Sequence, residues 1–138
     1  MLRLYFRIAV PFAVLAYGEN HYNSLTEMNR MSSIHAEDNV IRNLPVNTQK
    51  RSKKIDMLVI RVTLSGDLAS SKPCIHCMLL MCTRLPLKGY TLRDIYYSNS
   101  NGVLETHKFS ALLYSDEHHM SRFHKERGLN IGALIPHI

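Results

Sequence analysis

Two short patterns hold the side chains best able to do chemistry: His35-Ala36-Glu37, and further along Pro73-Cys74-Ile75-His76-Cys77. One imidazole and two thiolates suit a tetrahedral zinc ion, and three protein ligands leave a fourth position for water, as catalytic rather than structural sites do. A helix opening at Cys74 favours its thiolate, because unpaired N–H groups and the helix dipole stabilise negative charge there. Each pattern alone has a plainer reading, His35 as a hydrogen-bonded structural histidine and the cysteines as buried thiols. His76 or Cys82 as a fourth ligand would instead make the zinc a staple of the fold. Cys82 also fits the core, four residues after Met78.

Glu37 separates these readings. It shares a helical face with Val40, Ile41 and Leu44, and a carboxylate buried there without a partner would cost several kcal/mol, on the order of 2–7 even for a neutral polar group. Beside a metal that acidifies water, the same carboxylate could take a proton and hand it to a leaving group.

The elements that must position these residues follow from the patterning. Ile34 to Leu44 has helical periodicity and ends at Pro45; a polar, basic linker from Val46 to Lys54 leads into Ile55–Leu64, whose dense apolar run predicts an interior, largely buried strand. Gly66 to Ser71 reads as a loop, and Pro73 suits the first turn of a helix from about Cys74 to Arg84, before Pro86. Strands are expected over Thr91–Tyr97 and Val103–Phe109, around a turn at Asn99 to Gly102. A last helix, capped by Ser115 or Asp116, is expected to run to about Arg127, with Gly128 past its end. Such alternation predicts an α/β sandwich, with helix N-termini gathered at one edge of a sheet.

The chain has 138 residues, room for one hydrophobic core, and no apolar run long enough to span a bilayer, so a soluble protein without a membrane partner is expected. Its formal net charge of +6 favours anionic partners, although much of the excess sits in Lys50, Arg51, Lys53 and Lys54, which a solvated loop explains equally well. Three cysteines at this spacing suggest no disulfide framework, so a reducing, cytoplasmic setting is expected. Arg3 and Arg7 before the apolar stretch Ile8 to Tyr17 resemble a signal peptide; the competing reading is a short helix and then the first strand, stopped at Gly18, Glu19 and Asn20.

The two motifs, His35-Ala36-Glu37 followed by Pro73-Cys74-x-x-Cys77, resemble the signature of the zinc-dependent nucleobase deaminases, the cytidine and deoxycytidylate deaminase-like superfamily. The likeness extends from about Phe12 to Phe109. Val59-Ile60-Arg61-Val62, Ser70-Ser71-Lys72-Pro73-Cys74 and Ile95-Tyr96-Tyr97-Ser98 are similar to a branch of such proteins that carries a C-terminal extension. The resemblance implies a three-layer α/β/α sandwich with a central mixed five-stranded sheet and helices on both faces. It implies one deaminase domain over residues 1–138, with a core of about 8–114 and a helical extension of 115–138.

It further implies one zinc per chain on His35, Cys74 and Cys77, with Glu37 as general acid and base in converting a cytosine base to uracil. Candidate substrate contacts are the Ala36 backbone N–H, Ser71, Lys72 and Asn23, the last matching an asparagine that relatives place at the end of their second strand to touch the sugar. His21 stands where relatives often have glycine, Lys72 where nucleotide and transfer-RNA deaminases often have glutamate, and the connection from Asp38 to Lys72 is longer than usual. The substrate class therefore stays open: a free nucleoside or nucleotide, or cytosine or adenine in RNA or single-stranded DNA. A homo-oligomer is in keeping with many relatives, and a catalytically idle fold that binds a partner is the reading from another class. Outside the motifs, His107, His118, His119, His124 and His137 invite a second metal site but fit a solvated helix face better. Arg122 is a candidate for a substrate phosphate, and Tyr96 or Tyr97 for stacking on a base.

Overall fold

The computed structural model describes residues 3–7, 9–10, 13–22 and 33–115. In chain order the elements are β1 (Arg3–Arg7), β2 (Ala9–Val10), β3 (Ala13–Val14), β4 (His21–Tyr22), β5 (Ser33–Ile34), α1 (Ala36–Asn43), β6 (Lys53–Val62), β7 (Leu68–Ala69), α2 (Ile75–Leu87), β8 (Tyr90–Ser98), β9 (Leu104–Lys108) and α3 (Phe109–Leu113). This is a mixed α/β fold whose main sheet runs β1-β6-β8-β9, with the short β7 pairing the end of β6.

β6 is the spine. It pairs antiparallel with β1, Tyr5 opposite Ile60, and parallel with β8, Val59 opposite Tyr97. Parallel neighbours need a crossover, and α2 supplies it. Ile55, Met57 and Val59 are buried on the face that meets Val40, Ile41 and Leu44 of the α1 segment and Met78, Met81 and Leu85 of α2. Asp56, Leu58 and Ile60 alternate with them and are only half-buried. The strand is interior by pairing, but its burial is one-sided rather than complete.

The parallel ladder slips by one residue: Ile55 faces Leu92 and Met57 faces Ile95. Asp56 closes this bulge, accepting two hydrogen bonds from the Arg93 guanidinium (3.0 and 2.6 Å) and one from the Asp94 N–H (3.3 Å). The bulge keeps Leu92 and Ile95 on the buried face despite the extra residue between them.

α1 and α2 begin and end together. At their C-terminal ends Lys88 Nζ donates to the carbonyls of Ile41 (2.6 Å), Arg42 (3.0 Å) and Leu44 (2.7 Å), groups the helix itself leaves unpaired. Asp38 ties the helices higher up, taking Arg42 at 2.8 Å and Arg84 of α2 at 3.0 Å. The basic linker then folds around Asn47, whose amide donates to the carbonyls of Arg51 and Gly89.

Several boundaries differ from the sequence expectations. The first strand of the main sheet is β1, upstream of the stretch Ile8 to Tyr17. Within that stretch Ala9–Val10 pairs with Ala13–Val14, where a short helix is expected; Val10 precedes Pro11, which disfavours helical backbone. α2 continues through Pro86 to Leu87, because a proline in a last turn breaks one bond at a point where Lys88 and the left-handed Gly89 close the helix anyway. The helix expected over 115–127 and most of the extension lie outside the described residues. Among the described residues no helix is long and apolar enough to cross a membrane.

Candidate metal centre

The chain brings His35 and the cysteines together by placing each at a helix start. His35 is the N-cap of α1 and Cys74 the N-cap of α2, both with extended backbone; Cys77 lies in the first turn of α2. Residue 35 is also fixed from behind. β4 and β5 pair with His21 opposite Ile34, so the next residue outward on each strand, Asn20 and His35, meet at the end of the ladder.

His35 Nδ1 lies 3.2 Å from Cys77 Sγ and 3.6 Å from Cys74 Sγ, and all three donor atoms fall within 4.8 Å of one another. A tetrahedral zinc with ordinary Zn–N and Zn–S bonds holds such atoms about 3.5 Å apart. Spacing and donor chemistry therefore both fit a zinc ion held by one nitrogen and two sulfurs. Among the described residues no fourth histidine, cysteine or carboxylate joins this group. His76 is exposed and Cys82 is half-buried further along α2, so neither supplies the extra ligand of a structural staple.

The electrostatics are those of a site that holds negative sulfur. Cys74 is lowered to about 4, first by a hydrogen bond from the Cys77 thiol and then by His35 and the Cys77 backbone N–H, which reaches its sulfur at 3.5 Å. Cys77 is pushed far up, first because its proton is shared with Cys74 and then by burial. His35 is raised, chiefly by its hydrogen bond to Cys74. The arrangement favours negative charge on Cys74, and a metal would displace the protons that remain on the pair.

Glu37 occupies the second helical position of α1 and is 6% exposed. Burial raises its pKa; its own backbone N–H and a hydrogen bond with Cys77 oppose that shift. Its carboxylate is at the edge of the donor group and not one of the three ligands.

The remaining candidates divide. Ala36 is buried at the site, but its N–H donates to Asn20 Oδ1 at 2.8 Å. Asn23 lies outside the described residues; Asn20, read from sequence as part of a turn, is the asparagine that reaches the site. The sequence carries no signal for this role; Gly18, two residues earlier, lies so close on α1 that a Cβ there would clash with the Val40 nitrogen. The Ser71 hydroxyl belongs to the frame: it donates to the Val59 carbonyl and accepts from the Ser98 N–H, both at 2.8 Å, joining the ends of β6 and β8. Lys72 is half-buried and its charge is felt by Glu105. His107 is on a strand, not a helix, and stacks on Tyr97 with ring centroids 5.1 Å apart while Glu105 lies 3.2 Å from its Nε2. Arg122 and the other late histidines fall outside the described residues.

Comparison with protein-family models, with curated proteins and with solved structures finds no match to this chain.

Proposed function

We propose that the protein is a zinc-dependent hydrolytic deaminase that converts the cytosine base of a nucleoside or nucleotide to uracil, within the three-layer deaminase-like sandwich that its motifs suggest. The observation that carries this reading is Glu37, a carboxylate buried beside three zinc-type ligands without being one of them. An idle fold would need His35, Cys74 and Cys77 to hold its metal, but it would have no use for a buried acid whose desolvation is costly.

His35, Cys74 and Cys77 would hold the zinc, which when bound supplies a water acidified to near-neutral pKa. Glu37 would take one proton from the attacking water and deliver it to ring N3 as the water oxygen adds at C4. It would then carry the remaining proton of the new C4 hydroxyl to the exocyclic amine, so that the C4–N bond breaks, ammonia leaves and the C4 carbonyl of uracil remains. The raised affinity of Glu37 for protons suits a group that must both accept and release one. Asn20, whose oxygen accepts from the Ala36 N–H, is a further candidate beside Asn23 for a contact to the substrate.

The reading is tested by incubating the zinc-loaded protein with cytidine, deoxycytidylate, single-stranded DNA and RNA, and following ammonia and uracil. Turnover of cytidine or deoxycytidylate is expected. Turnover confined to a polynucleotide would transfer the same chemistry to base editing, and turnover of none would remove the enzyme reading.

A further inference from the structure

We propose that the end of the molecule where α1 and α2 terminate binds single-stranded nucleic acid. From Pro45 to Ile55 there is no acidic residue, and the segment carries Lys50, Arg51, Lys53 and Lys54. Lys50, Arg51 and Lys54 are exposed, and among the described residues no carboxylate forms an ion pair with them. The nearest acid in sequence, Asp56, is taken by Arg93.

A loop held only by solvent would leave its backbone without fixed partners, and this linker has them. Asn47 holds it from four sides: its N–H donates to the Lys88 carbonyl, its amide nitrogen to the Arg51 and Gly89 carbonyls, and its oxygen accepts from the Gln49 N–H. Lys53 N donates to the Gly89 carbonyl, fixing where β6 starts. The charges are therefore displayed on a turn whose backbone is held in place, so a ligand need order only the exposed side chains and not the loop that carries them.

The same end exposes ring and aliphatic surface. Tyr17 is 67% exposed, with its carbonyl accepting from Asn43 at the end of α1; Leu87 is 84% exposed at the end of α2, and Val46 is exposed in the linker. Cations that track phosphates, at the same helix ends as one exposed ring and two exposed aliphatic side chains that bases can cover, fit a single strand with unstacked bases; a duplex offers only its phosphates here. The surface is separate from the metal centre, because the eight residues of α1 alone put on the order of 12 Å between His35 and the linker. It does not rest on the deaminase reading, since binding is measured without turnover.

The test is fluorescence anisotropy of a labelled single-stranded oligothymidine with the zinc-loaded full chain, between about 50 and 200 mM salt. Binding is expected, weakening steeply with salt. Lys50→Gln, Arg51→Gln and Lys54→Gln together should weaken it at least about tenfold and make the log–log salt slope about two units shallower. Tyr17→Ala should cost about tenfold with the slope unchanged. Zinc content and melting temperature report whether each variant is intact; if the triple variant does not fold, single charge reversals at Lys50 and Lys54 replace it. Absence of binding at about 50 mM salt, or a triple variant that binds like the parent, overturns the proposal. So does a duplex or inorganic polyphosphate that binds as tightly as the single strand while Tyr17→Ala has no effect, which would mark a general polyanion surface.

Discussion

At the residue scale the proposed chemistry rests on a division of labour among four side chains. His35, Cys74 and Cys77 provide donor atoms at zinc-like spacing, and Glu37 sits beside them as a buried acid. Replacing Cys77 with alanine should empty the site: metal content falls to near zero, and a chelator that lowers the melting temperature of the parent no longer shifts that of the variant. The ligands and Glu37 are legible in the sequence because each motif is local and its residue types have few other uses together. Asn20 was not, because its role depends on the β4–β5 pairing, which sets it against the start of α1 from across the intervening chain. The frame contacts of Ser71 are not legible for a related reason: its hydroxyl meets the Val59 carbonyl and the Ser98 N–H, on strands that flank it in sequence by 12 and 27 residues.

At the scale of elements, the centre exists because two helices start at one point and are clamped at the other end. Lys88 makes three hydrogen bonds to the closing turn of α1, so Lys88→Met should destabilise the fold by about 1–3 kcal/mol in denaturant unfolding while leaving metal stoichiometry intact. Gly18 is the contact from the opposite side. Gly18→Ala forces a Cβ into the Val40 and Ala36 backbone and should cost about 1–3 kcal/mol, read as a lower unfolding midpoint. The identities of α1, β6, α2, β8 and β9 are legible in the apolar periodicity, but their ends are not. Pro86 stays inside α2 because Lys88 and Gly89 close the last turn just beyond it, and Leu68–Ala69 forms a strand in a segment that reads as loop because it folds back onto Arg61 and Val62 at the end of β6.

For the whole molecule, the parallel pair β6–β8 with its α2 crossover buries one face under α1 and α2 and leaves the two helix N-termini at the metal centre. The α/β class follows from the order of elements in the sequence. The antiparallel β1 at the sheet's edge does not, because an apolar stretch flanked by Arg3 and Arg7 has several readings until Val62 and Leu58 are seen to pair with those residues. Among the described residues the candidate metal centre lies at the starts of α1 and α2, and the basic linker follows the end of α1. The central claim is that this metal centre works through Glu37. Zinc content and the rate of uracil formation from cytidine and deoxycytidylate, measured side by side for the parent and for Glu37→Gln, test it most directly. One zinc per chain is expected in both, with turnover in the variant lower by about 10²–10⁴-fold; a variant that keeps its zinc and deaminates at the parental rate would contradict the account.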